Sequence, residues 1–188
     1  MIYIHKTGSV NRKEGEELDV KAAWKVVSPK MIRRTDRYIQ LSLLGAYQAI
    51  GENKLDKDTA LYMASGQGNL AVFKRLRDQR YVMRQPPKPV DFINSLSNTA
   101  GFYVAQFFDL YGKNLNVSRQ GLVVENTLLL AQVDLELGKE RPVLFGGVDE
   151  LQTHLSFTIN TSGISEGTHT VGGSKCILVN AHKDISLS

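Results

Sequence analysis

The stretch that decides the fold is residues 114–150, with the sequence NLNVSRQGLVVENTLLLAQVDLELGKERPVLFGGVDE. It opens with a short apolar run and turns sharply over residues 118–121. A helical pattern follows, because apolar residues recur at helical spacing, at Leu122, Leu129, Leu130, Val133 and Leu137. Gly138 suits the C-terminal cap of this helix, and residues 142–147 have the pattern of a second buried strand.

The order strand, turn, helix and strand predicts a right-handed crossover connection. We expect residues 114–118 and 142–147 to be adjacent central strands. The helix over residues 122–137 should pack across them with its apolar stripe buried. Enzymes use such a sharp strand-to-helix turn to expose a nucleophile. At this turn Gly121 stands where a reactive side chain is expected, and glycine has none.

Length and composition predict one domain. With 188 residues, 42% of them hydrophobic and 22% charged, the chain is long enough for one well-filled core. We expect a single domain over residues 1–188 with a flexible tail from about residue 181. No apolar run approaches membrane-spanning length and the first residues lack a signal pattern, so we expect a cytoplasmic protein without a membrane partner. The net charge of +4 is too small to indicate a nucleic-acid partner.

Residues that usually bind metals or react with substrates are few. The single cysteine, Cys176, excludes an internal disulfide and a cysteine-built metal site, and we interpret it as a buried structural thiol. The four scattered histidines lack metal-like spacing, so no metal and no cofactor is expected. Asp149 and Glu150 look like an acid pair, although helix capping is the favoured interpretation. Glu166 near His169 is a weaker pair in a loop rich in serine, threonine and glycine.

The rest of the chain alternates between strand and helix patterns. Thr35 is the expected N-cap of a helix that ends at Gly51, and a glycine turn at residues 65–69 joins a strand to a short helix. Alternating elements predict an α/β sandwich with a mixed or mostly parallel sheet. The further elements expected are strands at residues 2–4, 60–64 and 175–179 and helices at residues 70–80 and 100–110.

The short helix after the glycine turn carries a run of basic residues. By default such a run is a solvated helix face. The alternative is a docking surface for an acidic partner. On that alternative the candidate binding residues are Arg75, Arg77, Arg80 and Arg84.

Five segments in this order resemble the N-terminal half of the β-ketoacyl-acyl-carrier-protein synthases, which have the thiolase fold. The resemblance covers most of the chain, from about residue 2 to residue 179. It implies an α/β fold, a thiolase-like half in which a layered mixed sheet is covered by helices. The segments are ASGQGN at 64–69, SLSNTAGFYVA at 95–105, YGKNLNVS at 111–118 with the helix that follows, VLFGGVDE at 143–150 and SEG at 165–167.

The resemblance also implies where catalytic residues would stand. In the family a serine follows the strand, and the nucleophilic cysteine comes three residues later; Ser118 matches the serine and Gly121 falls on the cysteine. Chain-length-factor relatives commonly carry glutamine at that position, and this chain has Gln120 one place early. The two catalytic histidines lie in the family's C-terminal half, beyond the resemblance. Thioester exchange needs a thiolate or an activated hydroxyl, so no catalytic residue is implied here.

We therefore expect a non-catalytic β-ketoacyl-synthase-like protein, an accessory partner in fatty-acid, polyketide or aryl-polyene-type biosynthesis. The implied partners are a second copy of the chain or a complete synthase, in a homodimer or a heterodimer, and an acyl carrier protein. The helix at 100–110 and the strand at 114–118 are expected at the dimer contact. Two alternatives stay open: a serine-dependent acyltransferase or hydrolase that uses Ser118, and a homo-oligomeric structural protein that has lost its ligand site.

Overall fold

A five-stranded mixed sheet with helices on both faces forms the fold. The computed structural model describes residues 3–11, 19–27, 29–30, 32–118, 121–138, 142–150 and 173–180. The strands are β1 (Tyr3–Asn11), β2 (Ala60–Ser65), β3 (Asn114–Ser118), β4 (Val143–Asp149) and β5 (Gly173–Asn180). The helices are α1 (Val20–Val27), α2 (Arg37–Ile50), α3 (Leu70–Arg77), α4 (Pro89–Asn94), α5 (Thr99–Phe108) and α6 (Val123–Glu136), with a 3-10 turn at Ile32–Arg34 and a π-helical turn at Asp78–Val82.

The order of the strands across the sheet is β1-β5-β4-β2-β3. β2 pairs in parallel with β3 on one side and with β4 on the other, whereas β5 is antiparallel to both β4 and β1. The predicted mixed sheet is therefore confirmed. The prediction that residues 114–118 and 142–147 are adjacent strands is wrong, because β2, which is buried along its whole length, lies between them.

Alternating side chains of β2 divide the core into two layers. Leu61 and Met63 contribute to the layer that contains α2 and α5. Ala60, Tyr62 and Ala64 contribute to the layer beneath α6. The sheet is thus covered on both faces, as expected for strands that are apolar on both sides.

Helix α2 is the most deeply buried helix of the fold. It is buried around nearly its whole circumference, at residues 38–46, 49 and 50. The predicted N-cap Thr35 is wrong by one residue, since the Asp36 carboxylate accepts a hydrogen bond from Ile39 N at 3.1 Å. Gly51, at φ +67, ends the helix as predicted. Gly8 of β1 lies directly against the backbone of α2 at Gln48 and Ala49, where any Cβ would collide.

Helix α6 buries a different face from the predicted one. Its buried residues are Val123, Thr127, Ala131 and Leu135, spaced four apart. The predicted apolar stripe is wrong, since its members are exposed by 44% to 67%: Leu122, Leu129, Leu130, Val133 and Leu137. Thr127 and Ala131 are small, so they let the helix lie close to the sheet. Asp134 fixes this orientation by accepting hydrogen bonds from Tyr62 Oη at 2.6 Å and from Lys113 Nζ.

Several predictions fall outside the described residues. These are the SEG segment at 165–167, the pair Glu166 and His169, and the tail from about residue 181. Cys176 lies in β5, as predicted, paired with Gly8 of β1 and Gly146 of β4, but its side chain is not described. Within the described ranges no helix combines the length and the apolar character needed to cross a membrane.

The buried face of α6 can be tested with two leucines of the same helix. We predict that Leu135→Ala lowers the free energy of unfolding by about 2–5 kcal/mol, because it leaves a cavity against the sheet. Leu129→Ala, the matched control, should cost less than about 1 kcal/mol when the chain is monomeric, since Leu129 is 56% exposed. Urea unfolding followed by circular dichroism measures both. Equal losses would contradict this orientation of the helix.

Candidate functional site

The carboxyl ends of three parallel strands meet at one edge of the sheet, where α/β proteins usually place their sites. The glycine turn, residues 65–69, follows β2. The described residues between β3 and α6, which are Ser118, Gly121 and Leu122, are called the elbow. Asp149 and Glu150 stand at the end of β4.

Asp149 holds this edge together. Its carboxylate is 8% exposed and accepts hydrogen bonds from Ser65 Oγ at 2.8 Å, Gly66 N at 3.0 Å and Gln67 N at 2.9 Å. Gly68 N in turn donates to Ser65 Oγ at 2.6 Å. Asp149 therefore caps the glycine turn rather than a helix, and it ties β4 to the end of β2. The favoured prediction, that this residue caps a helix, is therefore wrong.

A buried tyrosine stands behind this carboxylate. Tyr38 of α2 is 3% exposed and interacts with Ser65. Burial, together with the nearby negative charge of Asp149, raises the pKa of Tyr38 to about 12, although the hydrogen bond with Ser65 opposes the shift. The phenol is therefore neutral at physiological pH and serves as a hydrogen-bonding group. The sequence offered no signal for this role beyond the apolar helix around it.

The elbow contains two consecutive residues in the left-handed region, Gly121 at φ +69 and Leu122 at φ +49. Leu122 occupies the N-cap position of α6 without a side-chain cap, and it is 67% exposed. A non-glycine residue in this region costs about 1–3 kcal/mol. The strained residue of the turn is thus Leu122, one place after Gly121, and neither side chain is a nucleophile. Counting along the sequence missed Leu122 because it assigned the turn to Gly121 alone.

Ser118 lies exposed at the end of β3, beside the glycine turn. A Cβ placed on Gly68 would lie 3.9 Å from Ser118 Oγ. Of the histidines, only His5 belongs to the described part of the chain, and it lies on β1, at the opposite edge of the sheet from β3. Within that part, no imidazole stands near Ser118 to activate it, as a serine nucleophile requires.

Glu150 belongs to a charged group on the α2 side of the edge. Its carboxylate lies 3.9 Å from Arg37 Nε, and its side chain is 13% exposed. Burial and, next, the negative charge of Asp36 raise the pKa of Glu150 to about 7, while the charges of Arg37 and Arg75 oppose the shift. Asp149 and Glu150 therefore do not form an acid pair, since each contacts a different set of residues.

The four predicted binding arginines do not share one environment. Arg75 binds the buried Asp91, with Nε and Nη2 at 2.9 Å and 2.7 Å from Oδ1. Arg77 pairs with its neighbour Asp78 at 2.8 Å. Arg80 and Arg84 are exposed, and the ion pairs of the described residues do not include them. Within the described part of the chain, Arg80 and Arg84 could therefore meet a partner without breaking an ion pair, whereas Arg75 and Arg77 could not.

Asp91 shows why Arg75 is held in place. Burial alone would raise the pKa of Asp91, but hydrogen bonds from Arg75 and from Gln79 outweigh burial and lower it. Gln79 Nε2 donates to Asp91 Oδ2 at 2.7 Å, and Gln79 Oε1 accepts from Lys88 N at 3.1 Å. This network links α3 to α4. It thereby fixes the position of the basic segment, the stretch of chain that carries Arg75, Arg77, Arg80 and Arg84.

No protein-family model matches the sequence, and no curated protein matches it. Solved structures do match. The ishigamide ketosynthase/chain length factor superposes with a TM-score of 0.77 at 15% identity, over 99% of this chain and 63% of that chain. A ketosynthase in complex with its chain length factor from Xenorhabdus doucetiae superposes with a TM-score of 0.69 at 16% identity, over 95% of this chain and 78% of that chain. A type II polyketide synthase acyl-carrier protein in complex with its ketosynthase superposes with a TM-score of 0.62 at 11% identity, over 95% of this chain and 57% of that chain.

These similarities establish the fold. The chain has a ketosynthase-like half of the thiolase fold, and the predicted resemblance and the α/β class are confirmed. It spans 63% of the length of the first of these structures. The matched chain in the Xenorhabdus complex is only modestly longer than this one, since it is covered to 78%.

Glu150 gives this edge a pH dependence that can be measured. Because its pKa rises on folding from 4.5 to about 7, the folded state binds the proton more tightly than the unfolded state. The resulting stability is fully present below about pH 4.5 and is lost as pH rises through about 7, a change of up to about 3 kcal/mol. Glu150→Gln should abolish this loss.

Chemical unfolding of both proteins between pH 4 and pH 8 provides the measurement. The stability of the wild type should fall relative to that of the variant across this window. Glu52→Gln, at an exposed position, controls for removal of a surface carboxylate. If wild type and Glu150→Gln keep a constant difference from pH 4 to pH 8, then Glu150 is not buried as described.

Proposed function

We propose that this chain is a non-catalytic ketosynthase-like protein that acts by binding. In this proposal it pairs with a complete ketosynthase, or with a second copy of itself, and contacts an acyl carrier protein in fatty-acid, polyketide or aryl-polyene-type biosynthesis. The observation that carries the proposal is the elbow, where Gly121 and Leu122 take the left-handed conformations. Thioester exchange needs a thiolate or an activated hydroxyl, and neither residue has one.

The known structures with this fold support a binding role. One is a ketosynthase in complex with its chain length factor, and another is a ketosynthase in complex with an acyl-carrier protein. A fold that operates in such complexes provides contact surfaces as well as a reaction site. A chain that keeps the fold without the nucleophile still has those surfaces.

The edge strand β3 is the proposed pairing surface. It ends the sheet and, among the described strands, pairs only with β2. An open edge presents N–H and C=O groups to a strand of another chain. Helix α5 lies over it so closely that a Cβ on Gly101 would approach Asn114 Oδ1 to 2.5 Å. Phe102, the next residue of α5, is 56% exposed and would anchor a twofold or pseudo-twofold contact.

Carrier-protein contact is assigned to the basic segment, with Arg75, Arg77, Arg80 and Arg84 as the binding residues. Arg80 and Arg84 would form the new ion pairs, since Arg75 and Arg77 already bind Asp91 and Asp78. Exposed charges of this kind speed association with an acidic partner more than they slow dissociation. They are screened over about 8–10 Å near physiological salt.

The serine-dependent alternative has less support. Ser118 would need a general base within hydrogen-bond reach. The described histidine His5 is on the far edge strand of the sheet. The alternative of a homo-oligomeric structural protein would use the same β3 edge. It differs from the proposal because such a protein would have lost its ligand site and would not contact a carrier protein.

Two readouts of one experiment test this function. The chain is incubated with malonyl- and acyl-carrier protein, and intact-protein mass spectrometry follows any adduct, with a complete ketosynthase as the positive control. We predict carrier-protein binding without a mass increase on this chain and without decarboxylation. An adduct that is lost in Ser118→Ala would replace the proposal by the serine enzyme, and an adduct on Cys176 would equally contradict it.

The binding readout has its own variant and control. Arg80→Glu/Arg84→Glu should lower the association rate with the carrier protein by about tenfold at low salt. Lys25→Glu/Lys54→Glu reverses the same number of exposed charges outside the basic segment and should change the rate much less. Equal effects of the two double variants would remove the basic segment from the proposed contact.

A further inference from the structure

A cavity of about 730 Å³ opens on the α2 side of the fold, away from the elbow. It lies where the start of α1, the 3-10 turn, the N-terminus of α2 and the helices α3 and α4 converge. Five of its lining side chains are cationic and three are carboxylates. The lining residues used below are Lys21, Arg33, Arg34, Asp36, Asp91 and Asn94.

Two buried oxygen atoms in the lining lack a hydrogen-bond donor. Asn94 is 3% exposed; its Nδ2 donates to Arg34 O at 3.0 Å, but its Oδ1 has no partner among the described residues. Asp36 Oδ1 caps α2, whereas the buried Oδ2 has no partner in the same part of the chain. A buried acceptor without a donor destabilises the folded state, because it has lost its hydrogen bond to water. Both residues line the cavity, but each of the two oxygens has almost no accessible surface, so a donor from a bound molecule reaches it only when the cavity wall shifts.

The same lining has an excess of free positive charge. Lys21, Arg33 and Arg34 are exposed, and no ion pair within the described ranges includes them. The carboxylates beside them are already engaged: Asp91 binds Arg75, and Asp19 caps α1 by accepting from Ala22 N at 2.9 Å. The cavity thus offers three cations that no described ion pair engages, beside the Asp36 carboxylate and two acceptors without a described donor.

We propose that this cavity binds a small phosphate ester that also carries a hydroxyl or amide donor. The phosphate would lie against Lys21, Arg33 and Arg34, since guanidinium groups bind phosphate oxygens in a bidentate geometry. The donor of the same molecule would satisfy Asn94 Oδ1 and Asp36 Oδ2. A phosphate without such a donor leaves both oxygens unpaired, so the site distinguishes the ester from the bare ion.

This assignment is independent of the proposed ketosynthase-like function. It uses no residue of the elbow or of β3, and it uses neither Arg80 nor Arg84, although Arg75 of the basic segment also lines the cavity. If the chain does not bind a carrier protein, the assignment of the cavity is unaffected. If the cavity does not bind the phosphate ester, the proposed function is unaffected.

Glycerol 3-phosphate is the probe, with inorganic phosphate and glycerol as its two component controls. Isothermal titration calorimetry on the intact chain should show saturable binding of glycerol 3-phosphate, at least about tenfold tighter than that of phosphate. Glycerol should not bind measurably up to about 10 mM, because an uncharged ligand gains little here. In the wild type, the side-chain amide resonance of Asn94 should shift during the titration, which keeps the test valid even if a variant fails to fold.

Variants separate the cations from the acceptors. Arg33→Ala/Arg34→Ala should weaken the binding of glycerol 3-phosphate by at least about tenfold. Lys25→Ala/Lys54→Ala removes two charges outside the lining and should change the affinity less than about twofold. Asp36→Asn keeps the N-cap, and the cap orients the new amide so that its NH₂ replaces Oδ2. Its preference for glycerol 3-phosphate over phosphate should fall by about fivefold or more.

Three results would overturn the site. The first is the absence of saturable binding of glycerol 3-phosphate up to about 10 mM. The second is an equal loss in the two double variants, which would indicate attraction by net charge alone. The third is an unchanged preference in Asp36→Asn together with an unmoved Asn94 resonance, which would show that the acceptors do not face the ligand.

Discussion

The structure depends on the carboxylate of Asp149 at the end of β4. This carboxylate accepts three hydrogen bonds from the glycine turn, and Ser65, which donates one of them, also interacts with Tyr38 of the central helix. Charge-assisted hydrogen bonds of this kind are the stronger ones in proteins. They fix the relative position of β4, β2 and α2 at the edge where the three parallel strands end. The elbow after β3 stands beside this edge, with Ser118 next to the glycine turn.

The rigid edge stands beside a strained turn, and the two left-handed residues of this turn, Gly121 and Leu122, carry no nucleophilic side chain. Leu122 adopts φ +49 at the N-terminus of α6 and places its side chain in solvent. Strained residues persist where the surrounding structure over-determines them, and here the pairing of β3 and the packing of α6 do so. The features that remain for a partner are the open edge of β3, the exposed Phe102 and the free arginines Arg80 and Arg84. These features fit a protein that works through contacts.

Much of the fold follows from the sequence, whereas long-range pairing does not. Apolar runs and glycine turns predicted β2, α2, α5, α6 and β4. The position of β2 between β3 and β4 is set by pairing between segments about 50 to 80 residues apart, for which local pattern gives no sign. Helix α6 has two apolar faces, and the sequence pattern predicts that the more hydrophobic one is buried. The sheet instead accepts the face with Thr127 and Ala131, because small side chains permit close packing.

The candidate site was predictable only in part. The sharp turn could be recognised from Ser118 and Gly121, and the resemblance places a glycine, Gly121, at the position of the family's nucleophile. The strain at Leu122 could not be recognised, because a leucine in the sequence gives no sign of a left-handed backbone conformation. For Asp149 the sequence favours helix capping, but the residue caps the glycine turn instead. Its target, the turn after β2, lies 84 residues away from it at Ser65.

Hydrogen–deuterium exchange at β3 tests most directly whether the chain works through its open edge. The backbone amides of Asn114–Ser118 are compared at low and high concentration of the chain alone, and again with a complete ketosynthase from the same organism. The account predicts that exchange at β3 slows by at least about tenfold on association, because pairing with another strand protects edge amides. The central strand β2 should change little. Exchange at β3 that stays fast under all three conditions would contradict the account.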